Sequence, residues 1–130
     1  MTIDTKQVTG NDLLDRFDTD FPAGSLLEIR SGAPAGAENA AGGTLLVSIT
    51  LPASPWAAAA LGVKAKNGTW SGNGAAAGDA AHYRLKNVGD TQRIEGTVTI
   101  TGGGGDLTLD NTNIAIGQDV TVSTFQYTLA

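Results

Sequence analysis

A chain of 130 residues predicts a single domain, and a formal net charge of −5 without a basic cluster argues against binding to a nucleic-acid backbone. The absence of Cys excludes disulfides and thiolate metal sites, and no apolar run approaches the roughly 18 residues of a membrane span. Aromatic residues make up only 5% of the chain and Gly numbers 18, so we expect a thin core, short strands and many turns.

Residues 1–24 are expected to form an arm followed by a short helix. Weak alternation through Ile3 and Val8 predicts an arm or edge strand over the first ten residues. These residues lack the basic start and apolar stretch of a secretory signal, so we expect a protein made in a cytoplasm. A helix over 12–20 would end at Pro22, with an apolar face made of Leu13, Leu14 and Phe17. Its acidic residues are typical of a solvated face, with a metal or partner site as the alternative.

Residues 25–130 are expected to form an all-β domain. Apolar residues at every second position are typical of strands with one buried face. This pattern predicts about eight strands, over 25–30, 44–51, 62–66, 69–71, 81–86, 93–100, 107–110 and 120–129. We expect them to form a two-sheet antiparallel β-sandwich of jelly-roll type, although the sequence does not predict which strands pair.

Several positions carry more specific expectations. In the strand over 44–51, Leu46 is the single apolar residue expected to be exposed. The dipeptide Asn67-Gly68 predicts a hairpin between the strands on either side of it. In the strand over 81–86, alternation turns Tyr83 and Leu85 inward and His82, Arg84 and Lys86 outward. In the strand over 93–100, it turns Ile94, Val98 and Ile100 inward.

The C-terminal segment closes the predicted fold. Its alternating apolar residues shift from even-numbered positions at Val122 to odd-numbered positions at Phe125. This change of parity predicts a β-bulge at Ser123-Thr124. Between the last strands, Ile114 and Ile116 are expected to anchor a loop rich in turn-forming residues.

No motif in the chain predicts catalysis or a cofactor. The four glycines Gly102–Gly105 are followed by a strand and lack a Lys, so they indicate a flexible hairpin connection rather than a phosphate loop. His82 is the only His, and no Gly-x-Ser-x-Gly elbow accompanies it. Asp106, Asp110 and Asn111 offer oxygen ligands for calcium, but Asp and Asn beside turns usually bond to their own backbone. We therefore expect no enzyme, no metal and no cofactor.

Five segments carry a resemblance to a known family. They read LEIRSGAPAG, GTLLVSITL, WAAAALGVKAKNGTWSG, AHYRLKNVGD and DLTLDNTNIAIGQDVTVSTFQYTL. Over residues 11–130 the chain resembles a family of small virion proteins of tailed bacteriophages. The resemblance implies a non-enzymatic structural component encoded among the head and tail genes.

The resemblance leads to two functional expectations. The first is a capsid decoration or cement protein that forms homo-oligomers in the virion and bridges subunits of the major capsid protein or other virion proteins. Its contacts would lie in the N-terminal arm, the loop over 31–43 and the loop at Trp56, with Ile3, Val8, Pro34, Leu46, Trp56 and Trp70 as candidate interface residues. Trp56 is expected first as a plug at one end of the sandwich, with the interface anchor as the alternative. The second expectation is a collar, tail or fibre module that stacks host glycans on Trp56, Trp70, Tyr127 or Tyr83.

Overall fold

The structure, a computed structural model, describes residues 7–128, and within them the protein is mostly β. The described helices are α1 (Gln7–Leu14) and α2 (Phe17–Asp20). The described strands are β1 (Leu26–Arg30), β2 (Leu45–Thr50), β3 (Val63–Ala65), β4 (Trp70–Asn73), β5 (Gly78–Asp79), β6 (His82–Lys86), β7 (Arg93–Ile100), β8 (Leu107–Leu109), β9 (Asn113–Ile114), β10 (Asp119–Val122) and β11 (Gln126–Thr128). The mainly β character is confirmed, whereas the two-sheet sandwich of jelly-roll type stays a prediction.

The largest sheet has five strands in the order β2-β1-β6-β7-β8. Three ladders of two strands accompany it, β10-β4, β11-β3 and β5-β9. The β10-β4 ladder lies next to β2 on its β4 side. There Ala75 N, just after β4, donates to the Leu46 carbonyl of β2 at 2.7 Å. On the other side β8 contacts β10, so the strands curl around one core. The pairing of β7 with β8 is parallel, so the expected fully antiparallel arrangement is wrong at this pair.

The parallel pair explains the run of four glycines. Parallel strands usually need a crossover of a dozen or more residues, yet the chain passes from β7 to β8 within Thr101–Asp106. A Cβ on Gly103 or Gly105 would lie 2.8 Å from an atom of Thr99, so a side chain at either position would force Thr99 to shift where the chain folds back. The expected flexible hairpin connection is therefore wrong.

The dipeptide Asn67-Gly68 does not connect a hairpin. Strand β3 pairs with β11 and strand β4 pairs with β10, so the flanking strands share no ladder. Together they form one long antiparallel ribbon, in which Lys66–Thr69 lie opposite Ser123–Phe125. The β3–β4 side has one residue more here than the side it pairs with, and Asn67-Gly68 accommodates it in a bend that does not reverse the chain. The hairpin prediction is wrong.

The predicted shift of the inward-facing positions near the C-terminus is correct, but the β-bulge expected to cause it is absent from the described residues at this point. Phe125 is 3% exposed and lies in the core, as the alternation predicts. Strand β10 ends at Val122 and β11 begins at Gln126, so Ser123-Thr124 lie in a break between two ladders rather than in a bulge. Before this break the chain pairs with β4, and after it the chain pairs with β3.

The core is built from one side of most strands. Leu27 and Ile29 of β1 and Leu85 of β6 are fully buried, as predicted. Leu46 is also fully buried, so its expected exposure is wrong, and Gly78 packs against its side chain. Ile100 and Ile116 were expected inside but lie largely exposed, one at the end of β7 and the other in a turn.

Helical structure begins earlier than expected. Helix α1 starts at Gln7, so the last residues of the predicted arm are helical, while Ile3 and the side chain of Val8 lie outside the described residues. Leu14 is buried, whereas Leu13 is 58% exposed. Within residues 7–128 neither helix has the length and apolar character needed to cross a membrane.

Candidate functional site

The loop of residues 31–43, called the strap below, lies over the outer face of the five-stranded sheet. Its ends meet where Ser31 N donates to the Thr44 carbonyl at 3.0 Å. Arg84 of β6 donates through Nη2 to the carbonyls of Gly36 at 3.1 Å and Asn39 at 2.7 Å. The Nδ1 atom of His82 lies 2.7 Å from the Gly32 carbonyl. The strap is therefore bonded along its length to β6.

Neighbouring strands hold the same loop. Arg30 of β1 donates to the Gly42 carbonyl at 2.9 Å, and Arg93 of β7 donates to the Ala37 carbonyl at 3.1 Å. The carboxylate of Glu95 accepts a hydrogen bond from Gly36 N at 2.8 Å. Loop carbonyls that lie against a protein surface need donors, and these side chains provide them.

An ion pair lies beneath the strap. Arg84 Nε donates to Glu95 Oε2 at 2.7 Å, and the two side chains are 4% and 5% exposed. Next to it, Glu28 pairs with Arg30 at 3.0 Å and with Lys86 at 3.2 Å. Across the sheet Glu28 lies opposite Arg84 and Arg84 lies opposite Glu95, so opposite charges lie side by side on the outer face. Such pairing compensates for the loss of water around them.

His82 and Arg84 point away from the core, as predicted, but neither side chain is exposed to solvent. Both side chains are buried, His82 completely, because the strap covers the face that alternation assigns to solvent. The Nε2 atom of His82 has no hydrogen-bond partner among the described residues and no access to solvent. His82 is therefore placed to support the strap rather than to reach a substrate.

The candidate interface residues separate into exposed and buried groups. Pro34 lies on the exposed side of the strap, where a partner can reach it. Leu46 and Trp70 are fully buried and Trp56 is 6% exposed, so none of the three presents a surface for a partner. Their selection as surface contacts is wrong, because each fills the core.

All seven aromatic residues of the chain form one connected cluster. The rings of Trp56 and Trp70 meet edge to face at 5.0 Å, and Phe17 of α2 joins Trp56 at 5.1 Å. The Trp56 indole donates to the Phe21 carbonyl at 2.9 Å, which fixes α2 against the core. The role of Trp56 as a structural plug is supported. Tyr127, at 42% exposed, offers a ring to solvent, and Phe17 is half-buried.

A cleft opens beside Tyr127. It has a volume of about 420 Å³, and its lining includes Tyr83, Glu95, Asp106, Gln126 and Tyr127. Burial raises the pKa of the Tyr83 hydroxyl, and the negative charge of Asp106 raises it further. The hydroxyl therefore stays protonated and can donate a hydrogen bond into the cleft.

The residues that were weighed as possible calcium ligands, Asp106, Asp110 and Asn111, are not gathered into a metal site in the described part of the chain. Asp106 accepts hydrogen bonds from the backbone and hydroxyl of Thr97, at 3.0 and 3.1 Å. Asn111 Oδ1 accepts from Asn113 N at 3.0 Å, the local turn bond that its type favours. Within residues 7–128 no group of three or more His, Asp or Glu side chains is placed to hold a metal ion.

The acidic residues of the helical segment have a structural role that the sequence did not indicate. Lys64 is fully buried, and its Nζ donates to Asp15 at 2.7 Å and to Asp18 at 3.1 Å. Asp15 also accepts a hydrogen bond from Ala59 N at 2.9 Å. These bonds attach the helical segment to β3 and the loop before it.

The residues that hold the strap were missed in the sequence. His82 and Arg84 were assigned to the outward face, and Arg30, Arg93 and Glu95 carried no expectation of their own. A signal for them exists in the sequence. Arg30, Arg84 and Arg93 occupy outward positions of strands. The chain also contains a long Gly- and Ala-rich loop, whose carbonyls need hydrogen-bond donors. No protein-family model, no curated protein and no solved structure matches this chain. The resemblance to phage virion proteins therefore stays a prediction.

Proposed function

We propose that this chain is a non-enzymatic structural protein of a tailed-phage particle, acting as a decoration or cement protein on the head shell. In this proposal it forms homo-oligomers in the virion and bridges subunits of the major capsid protein or other virion proteins. It needs no cofactor and binds neither nucleic acid nor membrane. The curled sheets would provide the two layers of a jelly-roll-like scaffold from which the contact loops project.

The seating of the strap is the observation that carries the proposal. Pro34 and its neighbours on both sides are exposed, while the carbonyls of the strap are bonded to side chains of three adjacent strands. A loop that is ordered before binding loses little conformational entropy when a partner docks on it. Its small side chains permit close approach of another backbone. The strap therefore has the properties of a preformed contact surface.

Particles assembled with and without this chain test the cement role. Particles that contain it are expected to resist heat and osmotic shock better, because a bridging subunit stabilises the assembled state by mass action. Equal resistance of the two kinds of particle would contradict the cement role. A copy number that matches the tail rather than the shell would favour the collar or tail alternative.

A double substitution tests the strap itself. Pro34→Asp with Ala35→Asp places two charges on its exposed side and is expected to abolish attachment to particles without lowering the melting temperature. The matched control is Ile116→Asp, which adds a charge at a turn residue that is 75% exposed. Attachment of the double variant at the level of the wild type would show that the strap is not the contact.

A further inference from the structure

We propose that the cleft beside Tyr127 binds a saccharide, with the Tyr127 ring as the stacking platform and Tyr83 and Asp106 as the hydrogen-bonding groups. The cleft combines a concave surface and an exposed aromatic ring with several polar side chains, among them Glu95, Asp106 and Gln126. The buried Trp56 and Trp70 do not take part. The inference goes beyond the proposed attachment through the strap and does not depend on it.

The platform is held in place. Tyr127 is 42% exposed, and its other side meets the ring of Phe17 at a centroid distance of 5.4 Å. Phe17 in turn packs against Trp56 at 5.1 Å, so the exposed ring rests on the aromatic cluster of the core. A rigid ring with two side-chain torsions loses little entropy when a flat ligand stacks on it.

The Tyr83 hydroxyl is a hydrogen-bonding group at the wall of the cleft. Tyr83 is 4% exposed as a residue, but its hydroxyl, which has no hydrogen-bond partner among residues 7–128, reaches the solvent of the cleft. A ligand there can therefore accept a hydrogen bond from it. Gly96 lies directly across the ladder, and a Cβ there would come within 2.7 Å of the hydroxyl oxygen, so the backbone is shaped to leave room for this group.

The polar groups around the hydroxyl select the class of ligand. Asp106 uses Oδ2 to bind Thr97, whereas its Oδ1 makes no bond with the described residues. Gln126 is exposed at the edge of the cleft and offers an amide donor and acceptor. Carboxylates in the cleft disfavour anions. A pyranose satisfies the set, because its face stacks on an aromatic ring and its hydroxyls both donate and accept.

Titration with saccharides, followed by two-dimensional NMR of the full chain, tests the proposal. The probes are chito-oligosaccharides, cello-oligosaccharides and dextran, which share the pyranose face and vicinal hydroxyls. We expect at least one of them to shift the ring resonances of Tyr83 and Tyr127 and the side-chain amide of Gln126. No shift at these groups with any of the three would overturn the proposal. A response to the polyamine spermidine alone would also overturn it, since it would indicate a site for cations.

Two conservative variants separate binding from folding. Tyr83→Phe removes a hydroxyl that has no partner among residues 7–128, so we expect an unchanged melting temperature and about a tenfold loss of saccharide affinity. Asp106→Asn is expected to weaken binding by a similar factor. The control Asp110→Asn changes a carboxylate in a different cleft, between β8 and β10, and is expected to bind like the wild type. Equal affinity of all three variants would show that the saccharide binds elsewhere.

Discussion

Arg84 and Glu95 lie side by side on adjacent strands beneath the strap, with Arg84 Nε donating to Glu95 Oε2 at 2.7 Å. The same arginine bonds two strap carbonyls and the same carboxylate bonds a strap amide. The pair therefore connects the five-stranded sheet to the loop that we propose as the contact surface. Its loss is expected to loosen that loop, which Arg30, Arg93 and His82 also hold.

Glu95→Ala is expected to destabilise the fold by about 3–5 kcal/mol, because it leaves the Arg84 charge buried without its partner. Urea denaturation measures the change, and limited proteolysis should show new cleavage within residues 31–43. The control is Arg16→Ala, which breaks the ion pair with Asp20 at a side chain that is 69% exposed. This control should cost less than about 1 kcal/mol. Similar losses from the two variants would contradict the role assigned to the buried pair.

Phe125→Ala is expected to cost about 3–5 kcal/mol, because it removes a buried ring at the centre of the aromatic cluster. The ring lies 5.5 Å from Trp70 and 5.3 Å from Tyr83 between centroids. Denaturation followed by tryptophan fluorescence measures the loss and reports on the neighbouring indoles. Thr124→Ala, at the exposed position next to it, should leave stability nearly unchanged. A stable Phe125→Ala protein would show that the cluster is not needed for folding.

Gly105→Ala is expected to destabilise the β7–β8 connection by about 1–3 kcal/mol, since the new Cβ would be forced against Thr99. The added atom would lie 2.9 Å from the Thr99 backbone nitrogen, which cannot move without disturbing β7. Gly89→Ala is the matched control, because the nearest atom to its new Cβ is 3.9 Å away in an exposed turn. Its effect should stay within about 1 kcal/mol. Thermal unfolding of the two variants makes the comparison.

Acid is expected to loosen the helical segment from β3. The hydrogen bond from Lys64, with a second from Ala59 N, holds the pKa of Asp15 below its ordinary value of 3.8. Because the folded pKa is the lower one, the stabilisation is present above pH 3.8 and is lost as the pH falls through the folded pKa.

Melting temperatures measured against pH for the wild type and Asp15→Asn test this effect. The variant should lose part of the stability at neutral pH and show a shallower decline below pH 3.8. Asp12→Asn removes a carboxylate from the outer side of α1 without touching Lys64, and it should follow the wild-type curve. Parallel curves for the wild type and Asp15→Asn would contradict the assignment.

Local alternation predicted much of the secondary structure correctly. It located β1, β2, β6 and β7 and the inward side of residues such as Leu27, Leu85 and Phe125. Successive side chains of a strand point to opposite faces, so a strand next to a core carries its pattern in its own residues. The same pattern failed at His82 and Leu46, where both faces of the strand are covered.

The candidate site was only partly predictable. The loop over 31–43 and Pro34 were expected at a contact surface, and Pro34 is indeed exposed. The side chains that hold this loop come from three strands and reach residues far away in the sequence, such as Arg93 with Ala37. No local pattern indicates such a bond. For the same reason the sequence offered Tyr83 and Tyr127 only as separate candidates for stacking a glycan, and the cleft that joins them was not predicted.

The C-terminal segment illustrates the division between the two sources of information. The sequence alone determined that Val122 and Phe125 both face the core despite their spacing, because burial of apolar side chains constrains the parity of a strand. Only the tertiary structure decided that the intervening residues form a break between two ladders, and that β3 and β4 pair with this segment rather than with each other. Strand partners are chosen by contacts distant in sequence, whereas Asn67-Gly68 specifies only a local turn.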